Sequence, residues 1–190
     1  FIMNLENRGG FNASGDNIVH AWAMFRLVER TISHPNGDDF QRTFVSTPGA
    51  VAVVAIDESS NVILVSQYRS SLDAMVLELP AGMRDVEDED PLDTAARELK
   101  EETGYVARDM QHLGTCLSSP GVTDSKVEIY FCSDVSGGEM EPHGPEEGFM
   151  EVKVLPLREA LAMVEDGRIT DAKTSFGLLL AARRFPHLLG

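Results

Sequence analysis

Residues 82–105 constrain this chain more than any other stretch. They read as a loop, a helix and a helix stop. The loop runs from Gly82 to Glu89, and the spacing predicts a helix over Pro91 to Thr103. Asp90 suits the N-cap, where a carboxylate accepts from free amides, and Pro91 suits the first helical position. Gly104 suits the position just past the end, where a left-handed residue stops the helix. At 100° per residue, Leu92, Ala95, Ala96, Leu99 and Thr103 fall on one side and are expected to face the core. Glu98, Glu101 and Glu102 occupy the adjacent arc.

Three carboxylates on one arc repel each other. They also sit at the C-terminal end of the helix, where the macrodipole prefers cations. A bound cation offsets both penalties, and hard oxygen ligands suit Mg²⁺ or Mn²⁺. By themselves the three glutamates are better read as a solvated acidic face, which is common on helices.

The formal net charge is −15, from 16 basic and 31 acidic residues. That excludes a nucleic-acid polymer as the expected partner, because polymer binding relies on a basic surface. A small phosphorylated substrate remains open if divalent metal sits between the two sets of negative charge. Much of the charge also serves solubility. Cys116 and Cys132 form no CxxC pair and lie in apolar, strand-like stretches, so both are expected as reduced core thiols of a cytoplasmic protein. There is no apolar run long enough to span a bilayer. Residues 1–16 lack the pattern of a signal peptide. The five histidines show no metal spacing and are taken as structural or exposed.

Residues 1–19 read as a flexible N-terminal segment, rich in Gly and Asn. His20 to Ile32 reads as a strand, Pro35-Asn36-Gly37 as a turn, and Phe40 to Ser46 as the returning strand. Residues 20–47 are therefore expected to form an N-terminal hairpin. Ala50 to Ile56, Val62 to Tyr68, Met75 to Leu79, His112 to Ser118, Val127 to Ser133 and Glu151 to Leu155 read as further strands. Residues 134–148 read as a loop. Leu157 to Asp166, closed by Gly167, and Ala172 to Arg184 read as helices. The pattern predicts one α/β (α+β) domain over residues 48–190, built on a mixed sheet with a small β appendage.

The segment Gly82 to Tyr105 resembles the Nudix box, G-x5-E-x7-R-E-U-x-E-E-x-G-U with U apolar. From Glu89 onward every position matches: Arg97-Glu98, Leu99, Glu101-Glu102, Gly104 and Tyr105. Upstream, six residues rather than five separate Gly82 from Glu89. Gln67-Tyr68-Arg69 and Leu77 to Gly82 look like the segments leading into the box in ADP-ribose pyrophosphatases. Pro120, sixteen residues beyond Gly104, resembles a marker of that branch.

The resemblance implies the Nudix fold, a mixed sheet sandwiched between helices. It also implies Mg²⁺-dependent cleavage of a nucleoside diphosphate, with ADP-ribose giving AMP and ribose 5-phosphate. Glu98, Glu102 and the backbone carbonyl of Ala81 would bind metal, and Glu101 a second metal or its waters. Arg97 would orient the glutamates, and it is also placed for an i,i+4 pair with Asp93. Glu89 would anchor the loop to the helix. The base would come from the late loop His143 to Gly148, as Glu146 or its neighbour Glu147. Arg69 is the expected diphosphate clamp. Phe25, Phe44 and Arg42 match the adenine-binding positions, and Trp22 is a further stacking candidate. The resemblance also implies a homodimer through residues 20–47. Two other readings stay open: a pyrophosphatase acting on a nucleotide sugar, and a non-catalytic ADP-ribose-binding regulator.

Overall fold

The computed structural model describes residues 8–137 and 150–189. The chain divides into two compact units, one of residues 1–49 with 117–126, the other of residues 50–116 with 127–190.

The first unit is a three-stranded antiparallel sheet: β1 (Asn12–Trp22), β2 (Phe25–Ser33) and β3 (Asp39–Ser46), in that order. The single long strand expected over His20 to Ile32 is thus two strands joined at Ala23-Met24. No Gly, Pro or Asn marks that turn. Ala23 takes a positive φ of 45° to make it, a conformation a sequence reading does not assign to alanine. Residues 12–19, expected to be flexible, belong to β1. The second turn falls where expected, with Gly37 at φ 97° beside Pro35 and Asn36. Every residue of β1 is exposed.

The second unit holds a seven-stranded sheet. Its strands are β4 (Ala50–Ile56), β5 (Asn61–Arg69), β6 (Ala74–Glu78), β7 (Ala81–Met83), β9 (Gln111–Leu117), β10 (Lys126–Cys132) and β12 (Glu151–Pro156). The path runs β12-β5-β4-β10-β9, with β6 on β5 and β7 on β4. β10 is parallel to β4, whereas β5 and β7 pair with it antiparallel, so the sheet is mixed. Two short strands, β8 (Tyr105–Ala107) and β11 (Val135–Gly137), form a separate pair. β7, β8 and β11 are too short to show periodicity, and no sequence signal marks them as strands.

Three helices cover the sheet: α1 (Pro91–Thr103), α2 (Leu157–Glu165) and α3 (Ala172–Arg184). β4, an unbroken apolar run, is buried on both faces as a central strand should be. Val51, Val53 and Ala55 pack with Ala95 and Leu99 of α1. Ala52, Val54 and Ile56 pack with Leu157, Ala160, Leu178 and Ala181 of α2 and α3. The sheet is therefore sandwiched between α1 and the other two helices, as expected. The helix ends also follow the sequence: the Asp90 side chain accepts from Leu92 N–H at 2.8 Å, and Gly104 takes φ 73°. On α1 itself, Leu92 is exposed and Thr94 is buried in its place.

Candidate active site

The site is built where α1 crosses β7. β7 pairs with β4 through Ala81↔Ala52, Gly82↔Val51 and Met83↔Ala50, so its backbone is fixed to the central strand. Val53 N–H also donates to the Pro80 carbonyl at 2.9 Å. Burial of Ala95, Leu99 and Thr103 against the sheet turns the neighbouring arc of α1 toward β7. Glu102 then accepts the Ala81 N–H at 2.9 Å. Glu98 lies against Gly82 so closely that a Cβ at position 82 would overlap its carboxylate. Gly82 leaves room for that carboxylate, which a side chain at position 82 would displace, and its backbone angles do not themselves demand glycine. The extra residue before Glu89 is absorbed in the loop, where Asp88 takes φ 61° and Glu89 N–H donates to the Val86 carbonyl at 3.4 Å.

Arg97 is the hub. Its guanidinium donates to Glu98 at 2.8 Å, to Glu101 at 3.0 Å and to Glu89 at 3.2 and 3.3 Å, and it lies 3.7 Å from Asp85. Its i,i+4 partner is Glu101, not Asp93. Glu89 also accepts from the Thr94 hydroxyl at 2.9 Å. These bonds hold the Glu89 carboxyl below its ordinary range, Arg97 contributing most and Thr94 next.

Glu98 and Glu102 behave differently. Burial pushes the Glu98 carboxyl up, against the pull of Arg97. Burial pushes Glu102 up to about 8, and the nearby charge of Glu98 adds to it. The Ala81 N–H pulls the other way without cancelling the rise. The charge of Arg69 also pulls Glu102 down without cancelling the rise, and a hard divalent cation would supply the remaining counter-charge. The donor set therefore fits Mg²⁺ or Mn²⁺ by its chemistry. It is not gathered into a cage: among the described residues no three acidic, Cys or His side chains are grouped so as to hold a metal ion. Glu98 and Glu101 are instead tied to Arg97.

On the same unit, Arg69 donates to both oxygens of Glu78, at 2.6 and 2.7 Å. Glu78 is buried and also receives Lys173 Nζ. Lys173 meets Asp171 at 3.0 Å as well. Burial works to raise Glu78, and Arg69 and Lys173 more than cancel it, leaving its carboxyl below the ordinary value. Arg69, Ser71, Thr170 and Lys173 line an open hollow of about 400 Å³. The sequence reading missed Glu78 and Lys173. The signal for Lys173 was the helix start at Asp171, whose side chain caps Thr174 N–H at 3.0 Å.

Phe25, Phe44 and Arg42 belong to the first unit. Phe44 and Arg42 line a hollow of about 410 Å³ with Arg30, Pro120 and Asp124. Phe25 is not among its lining residues. Phe25 stacks on Trp22 with ring centroids 5.6 Å apart. Arg30, which the sequence did not single out, sits 4.8 Å over the Phe44 ring. Glu146 and Glu147 lie outside the described residues. Both cysteines are free, and burial pushes the Cys132 thiol up to about 12. No helix among the described residues is long and apolar enough to cross a membrane.

The NUDIX domain model matches residues 46–176. A Bacillus subtilis protein named ADP-ribose pyrophosphatase is 38% identical over 160 residues, covering 84% of this chain and 86% of the relative. A Bacillus methanolicus protein named methanol dehydrogenase activator is 40% identical, covering 82% and 84%. A crystal structure of an ADP compounds hydrolase superposes with a TM-score of 0.76 at 23% identity, covering 93% of this chain and 95% of that one, a likeness of fold.

Proposed function

This chain belongs to the NUDIX family, and on that premise we propose that it hydrolyses the diphosphate of ADP-ribose to AMP and ribose 5-phosphate with Mg²⁺. The observation that carries the substrate is the relatedness, over most of both chains, to the Bacillus subtilis ADP-ribose pyrophosphatase. The acidic arc of α1 is complete in this chain, which favours catalysis over a purely binding role. Mn²⁺ is expected to substitute.

Glu98 and Glu102, with the Ala81 carbonyl, would hold the metal, and Glu101 a second ion or its waters. When bound, the metal supplies an activated water and offsets the charge of the diphosphate. The rest falls to side chains. Arg97 holds Glu98 and Glu101 in place. Ala81 N–H holds Glu102. Arg69 receives the diphosphate through the guanidinium N–H groups that Glu78 does not engage. Glu146, with Glu147 as the alternative, accepts the proton of the attacking water. Phe25, Phe44 and Arg42 receive the adenine. The enzyme acts in the cytoplasm as a homodimer through residues 20–47, a reading supported by the exposed edge β1 with Ile18, Val19 and Trp22.

A panel of ADP-ribose, ADP-glucose, GDP-mannose and NADH, ranked by kcat/KM, tests the substrate. ADP-ribose should lead by at least tenfold. Fast turnover of a nucleotide sugar without ADP-ribose hydrolysis would overturn it. Solvent labelled with ¹⁸O locates the attack, with label expected in AMP.

A further inference from the structure

We propose that Lys173 is a positioning residue: through the buried Glu78 carboxylate it keeps the Arg69 guanidinium fixed toward the substrate's diphosphate. The proposal rests on the reading of Arg69 as the diphosphate clamp.

The geometry comes from three elements. The β5–β6 register pairs Val65 with Glu78 and Arg69 with Ala74, which puts Arg69 and Glu78 on one face of the sheet. Glu78 is 2% exposed, and the two-pronged contact with Arg69 fixes the plane of the guanidinium. One carboxylate paired with one guanidinium is a neutral unit, and a neutral unit attracts an anion weakly. Lys173, from the first turn of α3, adds a second cation to the same carboxylate. Its other partner, Asp171, offsets part of that gain, and the Asp171 charge also reaches Arg69. The Asp171 carboxylate accepts Thr174 N–H at 3.0 Å and the Thr174 hydroxyl at 2.6 Å, at a helix N-terminus that favours negative charge.

Exposure separates the two cations. The Lys173 side chain is 15% exposed and Arg69 is 41% exposed. Both line the hollow of about 400 Å³, but the Lys173 ammonium is engaged by Glu78 and Asp171, and Arg69 is the more exposed of the two. Without Lys173, the buried Glu78 charge would fall wholly on Arg69, because a buried charge needs its partner.

Steady-state kinetics on ADP-ribose test this in the intact chain. Lys173→Met should raise KM about tenfold and change kcat by less than threefold. Lys173→Arg should restore KM to within about threefold of the parent. In an Arg69→Ala background, Lys173→Met should change KM by less than twofold, because the lysine acts through that arginine. An unchanged KM in the single variant would overturn the proposal. So would a fall in kcat alone, or the same tenfold effect with Arg69 already removed, either of which marks a merely structural lysine. Should Lys173→Met not fold, Glu78→Gln/Lys173→Met removes the buried charge together with its cation. A parental KM there overturns the proposal equally, and a raised KM supports it. A parent protein that does not hydrolyse ADP-ribose would remove the substrate reading, and this proposal with it, before any variant is made.

Discussion

At Glu102 the carboxyl lies under the protein surface with one backbone amide for company, and burial lifts it to about 8. An ordinary unfolded glutamate titrates near 4.5. Between those values the folded chain keeps a proton that the unfolded chain has lost. Stability contributed by this group is therefore present below pH 4.5 and is lost as pH rises toward about 8. Metal-free protein should melt at a falling temperature across that window, and Glu102→Gln should flatten the fall. Each kcal/mol moves the melting temperature by about 2–4 °C in a domain of this size. A variant whose melting temperature falls as steeply as the parent's would contradict the assignment. The same proton competes with metal. Mg²⁺ affinity, measured by calorimetry, should weaken roughly tenfold per unit below pH 8, since the ligand must be deprotonated to bind. An affinity flat from pH 6 to 8 would contradict it.

Where β7 meets α1, a glycine sets how closely strand and helix approach. Gly82→Ala would push the Glu98 carboxylate away from the strand. The variant should lose at least tenfold in kcat while its far-UV spectrum stays unchanged; parental kcat would show that the approach does not matter. The helix itself was legible in the sequence, because Asp90, Pro91 and Gly104 are local signals and Ala95, Leu99 and Thr103 repeat at helical spacing. The apolar strands β4 and β5 were legible for the same reason, their pattern being local. The turn at Ala23-Met24 was not, since alanine at positive φ is held by pairing on either side, Trp22 with Phe25 and Ala21 with Arg26. The Arg69–Glu78–Lys173 network was not legible either. Glu78 and Lys173 are 95 positions apart, and only the fold brings them together.

Taken as a molecule, the chain carries the acidic arc of α1 in its larger unit and a sheet with an exposed edge strand in its smaller unit. Eleven residues of β1 stand exposed, with Ile18 at 60% and Trp22 at 44%. An exposed strand edge with apolar side chains is a surface proteins normally cover. Sedimentation at micromolar concentration should give a dimer, and Ile18→Glu should shift it toward monomer. A parental chain that sediments as a monomer with full activity would rule out the assembly.

The central claim is metal-dependent cleavage of ADP-ribose, and one measurement reaches it directly. ADP-ribose is incubated with the purified chain in Mg²⁺ and in chelator, with Glu102→Gln run alongside, and the products are separated and identified. AMP and ribose 5-phosphate should form in equal amounts with Mg²⁺. None should form in chelator, and the variant should be slower by at least a hundredfold. Undiminished turnover in chelator or in the variant would contradict the account, as would intact ADP-ribose after incubation with Mg²⁺.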